Sequence, residues 1–153
     1  MRDALVSDPA FNVSFDSFSG PNATIEYWEE LSTSKFCLCP PGWVGWSPRL
    51  YQAMAAGCVP VVLGDDVALP FERTHEAMNS TIRVSRAELP NLKATLEAIE
   101  EGEVRRIREA LYLSWHDWVW LWRENVYDRA DHRNDGALDL VLDELRLLNG
   151  RWR

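Results

Sequence analysis

The residues best equipped for chemistry lie close together in this 153-residue chain. Gly42, Trp46, Ser47, Arg49 and Gln52 fall within one loop-and-helix stretch, and Asp65 and Asp66 follow the next apolar run. A loop leaving a strand exposes backbone N–H groups, and a following helix adds the positive end of its dipole. Arg49 adds a planar fork of donors suited to a diphosphate. The same residues also fit a tight turn made by Gly42 and Gly45, with Arg49 paired to a surface carboxylate, and both readings stand. Gln52, three residues after Arg49, shares its helix face, where an amide meets a ribose hydroxyl or a base edge, or is simply solvated. Trp43 and Trp46 are placed to touch a base or a sugar. Asp65 and Asp66 sit at a strand end, where a general base, a sugar-hydroxyl acceptor or a metal ligand belongs. A solvated turn that caps the next element is the competing use.

Metal chemistry finds little support. Two adjacent carboxylates without a third ligand make a poor site, and His75, His116 and His132 do not fall at zinc spacing with Cys37, Cys39 or Cys58. The reading expects Cys37 and Cys39 on opposite sides of a strand and buried free thiols throughout, with Cys39 and Cys58 as the pairing that neighbouring strands would allow. Leu111, Trp115, Trp118 and Trp122 recur at helical spacing and read as core, leaving Trp120 as the exposed ring.

The elements that must hold these residues can be read in order. Residues 1–23 read as a loop or connection with at most one short strand near Phe11 to Phe15. Residues 24–128 read as one Rossmann-like domain. Its first helix, Thr24 to Ser34, carries Ile25, Trp28 and Leu31 on one face and has Asn22 or Thr24 as a cap. Phe36 to Cys39 is a strand stopped by Pro40-Pro41-Gly42. Ser47 caps a helix with Pro48 at its first position, and Gly57 closes it. Cys58 to Leu63 is a second strand with a turn at its carboxyl end, where ligands sit in an open parallel sheet. Thr81 to Val84 is a third strand. Helices are expected over Arg86 to Glu101, with a break at Gly102, and over Val104 to Val126. Residues 129–153 form a tail with a last helix over Ala137 to Leu148. The fold class is therefore α/β, a parallel sheet with helices followed by a helical tail, with about three strands.

A chain of this length with 46% hydrophobic content and eight tryptophans can bury one sizeable core. A net charge of −8 opposes nucleic acid or an anionic membrane as the main partner. No run approaches the roughly twenty apolar residues of a membrane span, so a membrane anchor is absent from the chain as given. The triplets Asn12-Val13-Ser14, Asn22-Ala23-Thr24 and Asn79-Ser80-Thr81 are glycosylation sequons and lean towards a secretory compartment.

The segment from Ser34 to Phe71 resembles the exostosin family, glycosyltransferase family 47. Members carry SKFCL-P-G, S-P-R-L, E-A, G-C-(V/I)-P-V and D-D-x-x-L-P-F in that order. Here these stand as Ser34 to Leu38, Pro41-Gly42, Ser47 to Leu50, Gln52-Ala53, Gly57 to Val61, and Asp65-Asp66 with Leu69-Pro70-Phe71. The likeness extends more loosely to about residue 128. It departs at Gln52, where the family has Glu, which turns a charged ribose acceptor into a neutral one. It departs also at Ala68, where the family is larger or acidic.

The resemblance implies the C-terminal half of a GT-B glycosyltransferase, facing an acceptor-binding domain across a cleft. It implies a UDP-sugar as donor substrate, a glycan or glycoprotein as acceptor, no obligatory cofactor or metal, and a Golgi location. Gly42 and Arg49 would meet the diphosphate and position 52 the ribose, with Trp46, Ser47, Asp65 and Asp66 around the donor. Transfer would proceed with inversion, the catalytic base staying unassigned and Asp65 or Asp66 orienting the donor sugar. Without the acceptor domain, these residues alone are expected to catalyse no transfer. The alternative is a truncated or non-catalytic domain that only binds nucleotide-sugar or a partner.

Overall fold

The computed structural model describes residues 2–13, 23–42, 47–73, 75, 80–114 and 137–150. Its centre is a three-stranded parallel sheet in the order β1-β2-β3, formed by Phe36–Cys39, Val59–Leu63 and Ile82–Val84. β2 is the apolar run VPVVL, and every residue of it is buried, as a central parallel strand covered on both faces requires. Pro60 is tolerated there for a geometric reason. The Val59 N–H donates towards β1, to the Lys35 carbonyl, so the nitrogen of the next residue faces the other side. β3 joins only from Val61 onward, so the N–H that proline lacks has no ladder partner to miss.

Helices cover both faces. On one, Cys37, Cys39 and Val62 pack with Leu50, Ala53 and Met54 of α3 (Arg49–Ala55) and with Val104, Ile107 and Leu111 of α5 (Glu101–Leu113). Leu31 of α2 (Ala23–Thr33) and Leu140 of α6 (Ala137–Gly150) complete that cluster. On the other face, Val61, Leu63 and Val84 pack against Leu92 and Leu96 of α4 (Leu92–Glu97). The α/β class, the three strands and the helix over Ala137 to Leu148 stand as expected from the sequence. α3 closes as expected too. Gly57 adopts φ +71°, its N–H donates to the Met54 carbonyl, and Cys58 N–H donates to Ala53. This is a Schellman cap, whose left-handed residue favours glycine.

Several expectations are corrected. The first segment is not all loop, because Arg2–Ser7 forms α1 and Lys93 anchors the residue after it through Asp8 at 2.8 Å. Phe11 to Val13 form no strand, and Ser14 and Phe15 lie outside the described residues. In α2, Ile25 and Trp28 are 59% and 39% exposed, so Tyr27 and Leu31 make the packed side. Thr24 lies within that helix, and Asn22 is outside the described residues. The helix expected over Arg86 to Glu101 is a 3-10 turn at Leu89–Asn91 followed by the short α4, because Pro90 lacks an N–H and biases its predecessor away from helix. The break then falls at Glu100, which is extended, and Gly102 lies inside the first turn of α5. α5 ends at Ser114, whose hydroxyl donates to the Ala110 carbonyl, and Trp115, Trp118, Trp120 and Trp122 lie outside the described residues.

The cysteines also depart from expectation. Cys37 and Cys39 are both buried on one face, as residues two apart on a pleated strand must be. Cys37 is joined to Cys58 by a disulfide with Cα atoms 5.9 Å apart, and Cys39 is the free thiol. The bridge ties β1 to the residue just before β2.

Two predictions follow from this core. Replacing Cys37 and Cys58 together by serine is expected to cost about 2–4 kcal/mol in urea unfolding, with reductant producing a comparable loss in the parent chain. An equal midpoint with and without reductant would show that the bridge contributes nothing. Burial also pushes the Cys39 thiol up to about 12 from 9.0, and the Tyr51 phenol up to about 12 from 10.0. The folded state therefore keeps protons that the unfolded state releases, so this stability is complete below pH 9 and is lost as pH rises towards 12. Unfolding measured from pH 8 to 11 is expected to weaken steadily, and Cys39→Ala should remove the part of the slope that begins near pH 9.

Candidate functional site

The parallel register pairs Cys39 with Val62, so the carboxyl ends of β1 and β2 lie side by side. The chain leaves β1 through Pro40, Pro41 and Gly42, all exposed, and re-enters at Ser47 to begin α3. It leaves β2 through Gly64, Asp65 and Asp66 at the same edge. This is the position at which an open α/β sheet presents its loops to a ligand. Gly42, Ser47, Arg49, Gln52, Asp65 and Asp66 are thus gathered at one end of the sheet, while Trp43, Gly45 and Trp46 lie outside the described residues.

α3 is seven residues long, so its dipole adds less than a longer helix would, and side chains carry the site. Ser47 does not cap it. The cap position is Pro48, without a side-chain hydrogen bond, and the Ser47 hydroxyl is buried with no partner among the described residues. A buried hydroxyl left alone costs about 1–3 kcal/mol, which a bound polar group would offset. Arg49 is exposed and forms no ion pair with a carboxylate among the described residues. Its neighbour among the described residues is the Tyr27 phenol.

Gln52 is half-buried and accepts a hydrogen bond of 2.6 Å from the Tyr27 hydroxyl, so the solvated reading fails for it. Tyr27 comes from α2 and was not singled out from the sequence. Burial raises its pKa, and the nearby Arg49 cation opposes that shift by charge and hydrogen bonding. Buried Cys39 lies close to the same pair, which makes Tyr27, Cys39, Arg49 and Gln52 one cluster between α2, the end of β1 and α3. Tyr27 and Arg49 also line a cavity of about 600 Å³ shared with Phe11, Phe36, Leu38 and Lys93, a volume within the range of small-molecule sites.

The acidic pair divides its roles. Asp65 Oδ1 accepts from the Arg86 backbone N–H at 3.1 Å, which ties the turn after β2 to the end of β3. Asp66 is exposed at the same turn. The loop beyond is fixed from β3 by Arg83, which donates to the Val67 carbonyl at 2.8 Å and pairs with Glu72. Glu72 in turn accepts from the Leu69 N–H, which brings Leu69 into the core. Phe71 adopts φ 63° in this loop, an uncommon conformation for a bulky residue and one that only a fixed surround maintains. Among the described residues no group of three or more His, Cys, Asp or Glu gathers as a metal cluster.

The sequence that builds this geometry matches a known family. The Exostosin GT47 domain matches residues 2–99, which include the whole sheet and the candidate site. A probable glucuronosyltransferase of Oryza sativa subsp. japonica is 34% identical over 105 residues, covering 69% of this chain and 24% of the relative. A probable glucuronoxylan glucuronosyltransferase of Arabidopsis thaliana is 32% identical over 126 residues, covering 71% of this chain and 27% of its own length. A probable beta-1,4-xylosyltransferase of the same plant is 33% identical over 105 residues, covering 69% and 24%. The chain spans about a quarter of the length of these curated relatives. With a parallel sheet covered by helices on both faces, consistent with the Rossmann-like half of a GT-B enzyme, and with the domain match over residues 2–99, the chain belongs to the exostosin family, glycosyltransferase family 47.

Proposed function

We propose that this chain is the donor-binding part of a glycosyltransferase that moves a sugar from a UDP-sugar to a glycan or glycoprotein acceptor with inversion. The observation that carries the reading is a guanidinium without a carboxylate close in sequence to a buried hydroxyl without a partner, among the described residues at the carboxyl edge of the sheet. Arg49 has no carboxylate and the buried Ser47 hydroxyl has no acceptor, among the described residues. A diphosphate is rich in acceptors and carries the negative charge that Arg49 lacks. The names of the relatives suggest glucuronic acid or xylose as the sugar to assay first.

In this reading Arg49 and the Gly42 loop hold the diphosphate and stabilise the charge that develops on it as it departs. An acceptor hydroxyl, deprotonated by a base, attacks the anomeric carbon from the opposite face. The exposed Asp66 is available to a sugar hydroxyl, whereas Asp65 is already engaged by Arg86. No metal is required in the chemical step. A Golgi location fits the Cys37–Cys58 disulfide, since such bonds persist in oxidising compartments, and the exposed sequon asparagine Asn12. A second reading, binding without transfer, draws on Gln52, whose neutral amide stands where the family has a carboxylate.

Calorimetric titration with UDP, UDP-glucuronic acid and UDP-xylose is expected to show binding that Arg49→Ala weakens at least about tenfold, the loss of a charge-assisted contact. Absence of heat at millimolar UDP from a folded chain would overturn the donor site. Product detection with a xylan acceptor separates transfer from binding alone. When the chain is expressed through a eukaryotic secretory pathway, digestion of N-glycans is expected to reduce its mass, and Asn12→Gln should remove one increment of that change. An unchanged increment in Asn12→Gln would show that this sequon is unused.

A further inference from the structure

The hydrogen bond between Tyr27 and Gln52 has a direction, and its neighbours determine it. Arg49, beside the Tyr27 phenol, carries only donors and can take no proton from it. Tyr27 has one proton to give, and it goes to Gln52 Oε1 at 2.6 Å. The amide is thereby oriented: its oxygen is engaged and its Nε2 group, with two N–H donors, has no acceptor among the described residues. A glutamate at this position would do the opposite, since a second carboxylate oxygen would remain free to accept from a ligand hydroxyl.

We infer that Tyr27 is a positioning residue that fixes the Gln52 amide and makes position 52 a hydrogen-bond donor to the bound nucleotide. This rests on the donor-site reading above and deepens it. The group that Gln52 selects is a ligand acceptor, such as a phosphate, ribose or base oxygen. Ser47, Arg49 and Gln52 then present donors within six residues of chain, and no carboxylate of α3 competes for them. An action through Gln52 makes the effect of Tyr27 depend on that residue, whereas an action through the neighbouring Arg49 would not.

A double-mutant cycle on the full chain tests this, with UDP as the probe and Tyr27→Phe, Gln52→Ala and the double variant compared by calorimetry. Tyr27→Phe is expected to weaken UDP binding about three- to tenfold, the scale of one neutral hydrogen bond, and to change nothing further in the Gln52→Ala background. Equal weakening in both backgrounds overturns the inference, because it would assign Tyr27 to packing or to Arg49. A second measurement needs no ligand. In the NMR spectrum of the folded, unliganded chain, Tyr27→Phe is expected to move the Gln52 side-chain carbonyl carbon upfield and to leave the Nε2 resonances in place. Movement of Nε2 with an unmoved carbonyl would show the bond running the other way and would overturn the inference. If UDP fails to bind the parent chain, the donor-site reading falls and takes the ligand half of this inference with it. The amide shifts still decide the hydrogen bond.

Discussion

Parallel pairing of β1 with β2 is the constraint on which the rest of the molecule depends. Two parallel strands cannot be joined by a tight turn, so the chain must cross back over the sheet between them, and it does so through α3. That crossover starts from the carboxyl end of β1 beside the carboxyl end of β2. The same register therefore dictates that the α3 entry and the Gly64 to Asp66 turn share one edge of the sheet. β3 extends the pattern, and its Arg83 fixes the loop after that turn. The site is a by-product of strand direction before any side chain is considered.

The two ends of β1 and β2 are treated differently. At the amino end the chain is closed covalently, through Cys37 and Cys58, and α3 finishes with a capped glycine directly before Cys58. At the carboxyl end polar groups are left over: a buried hydroxyl and an amide nitrogen without acceptors, and a guanidinium without a carboxylate, among the described residues. Unpartnered donors carry a free-energy cost, and a marginally stable domain retains them only where the remainder is firmly held. Stability concentrated at one end of the strands permits unsatisfied chemistry at the other.

How much of this was legible in the sequence follows from the range of each interaction. Phe36 to Leu63 could be read because continuous apolar runs, Pro40-Pro41-Gly42 and Gly57 signal strand, turn and cap locally. β3 and α6 are likewise local patterns. Pro90 signals the 3-10 turn before α4 locally, against a leucine spacing around it that by itself fits one longer helix. The misses are tertiary. The partner of Cys37 depends on which strand lies beside it and in what register, which cysteine spacing alone does not encode. α1 is a six-residue helix, too short for a periodic signature, and its neighbour Asp8 is held by Lys93 from far along the chain. The exposure of Ile25 and Trp28 shows the same limit, since helical spacing identifies a face but not whether anything covers it.

The Tyr27 contact is the most instructive of these misses because it changes the chemistry of a residue that the motif had already picked out. Residue 52 read in isolation is an amide with equal donor and acceptor capacity. Its actual capacity is set by a helix 25 residues upstream in sequence, through a phenol whose own polarity is set by Arg49. A motif identifies which side chain faces the ligand, but the hydrogen bonds behind that side chain decide what it offers. Replacing Glu by Gln in this family is therefore more than the loss of a charge. With Tyr27 bonded to its oxygen at 2.6 Å, this glutamine offers two N–H donors at a point where a glutamate would offer only acceptors.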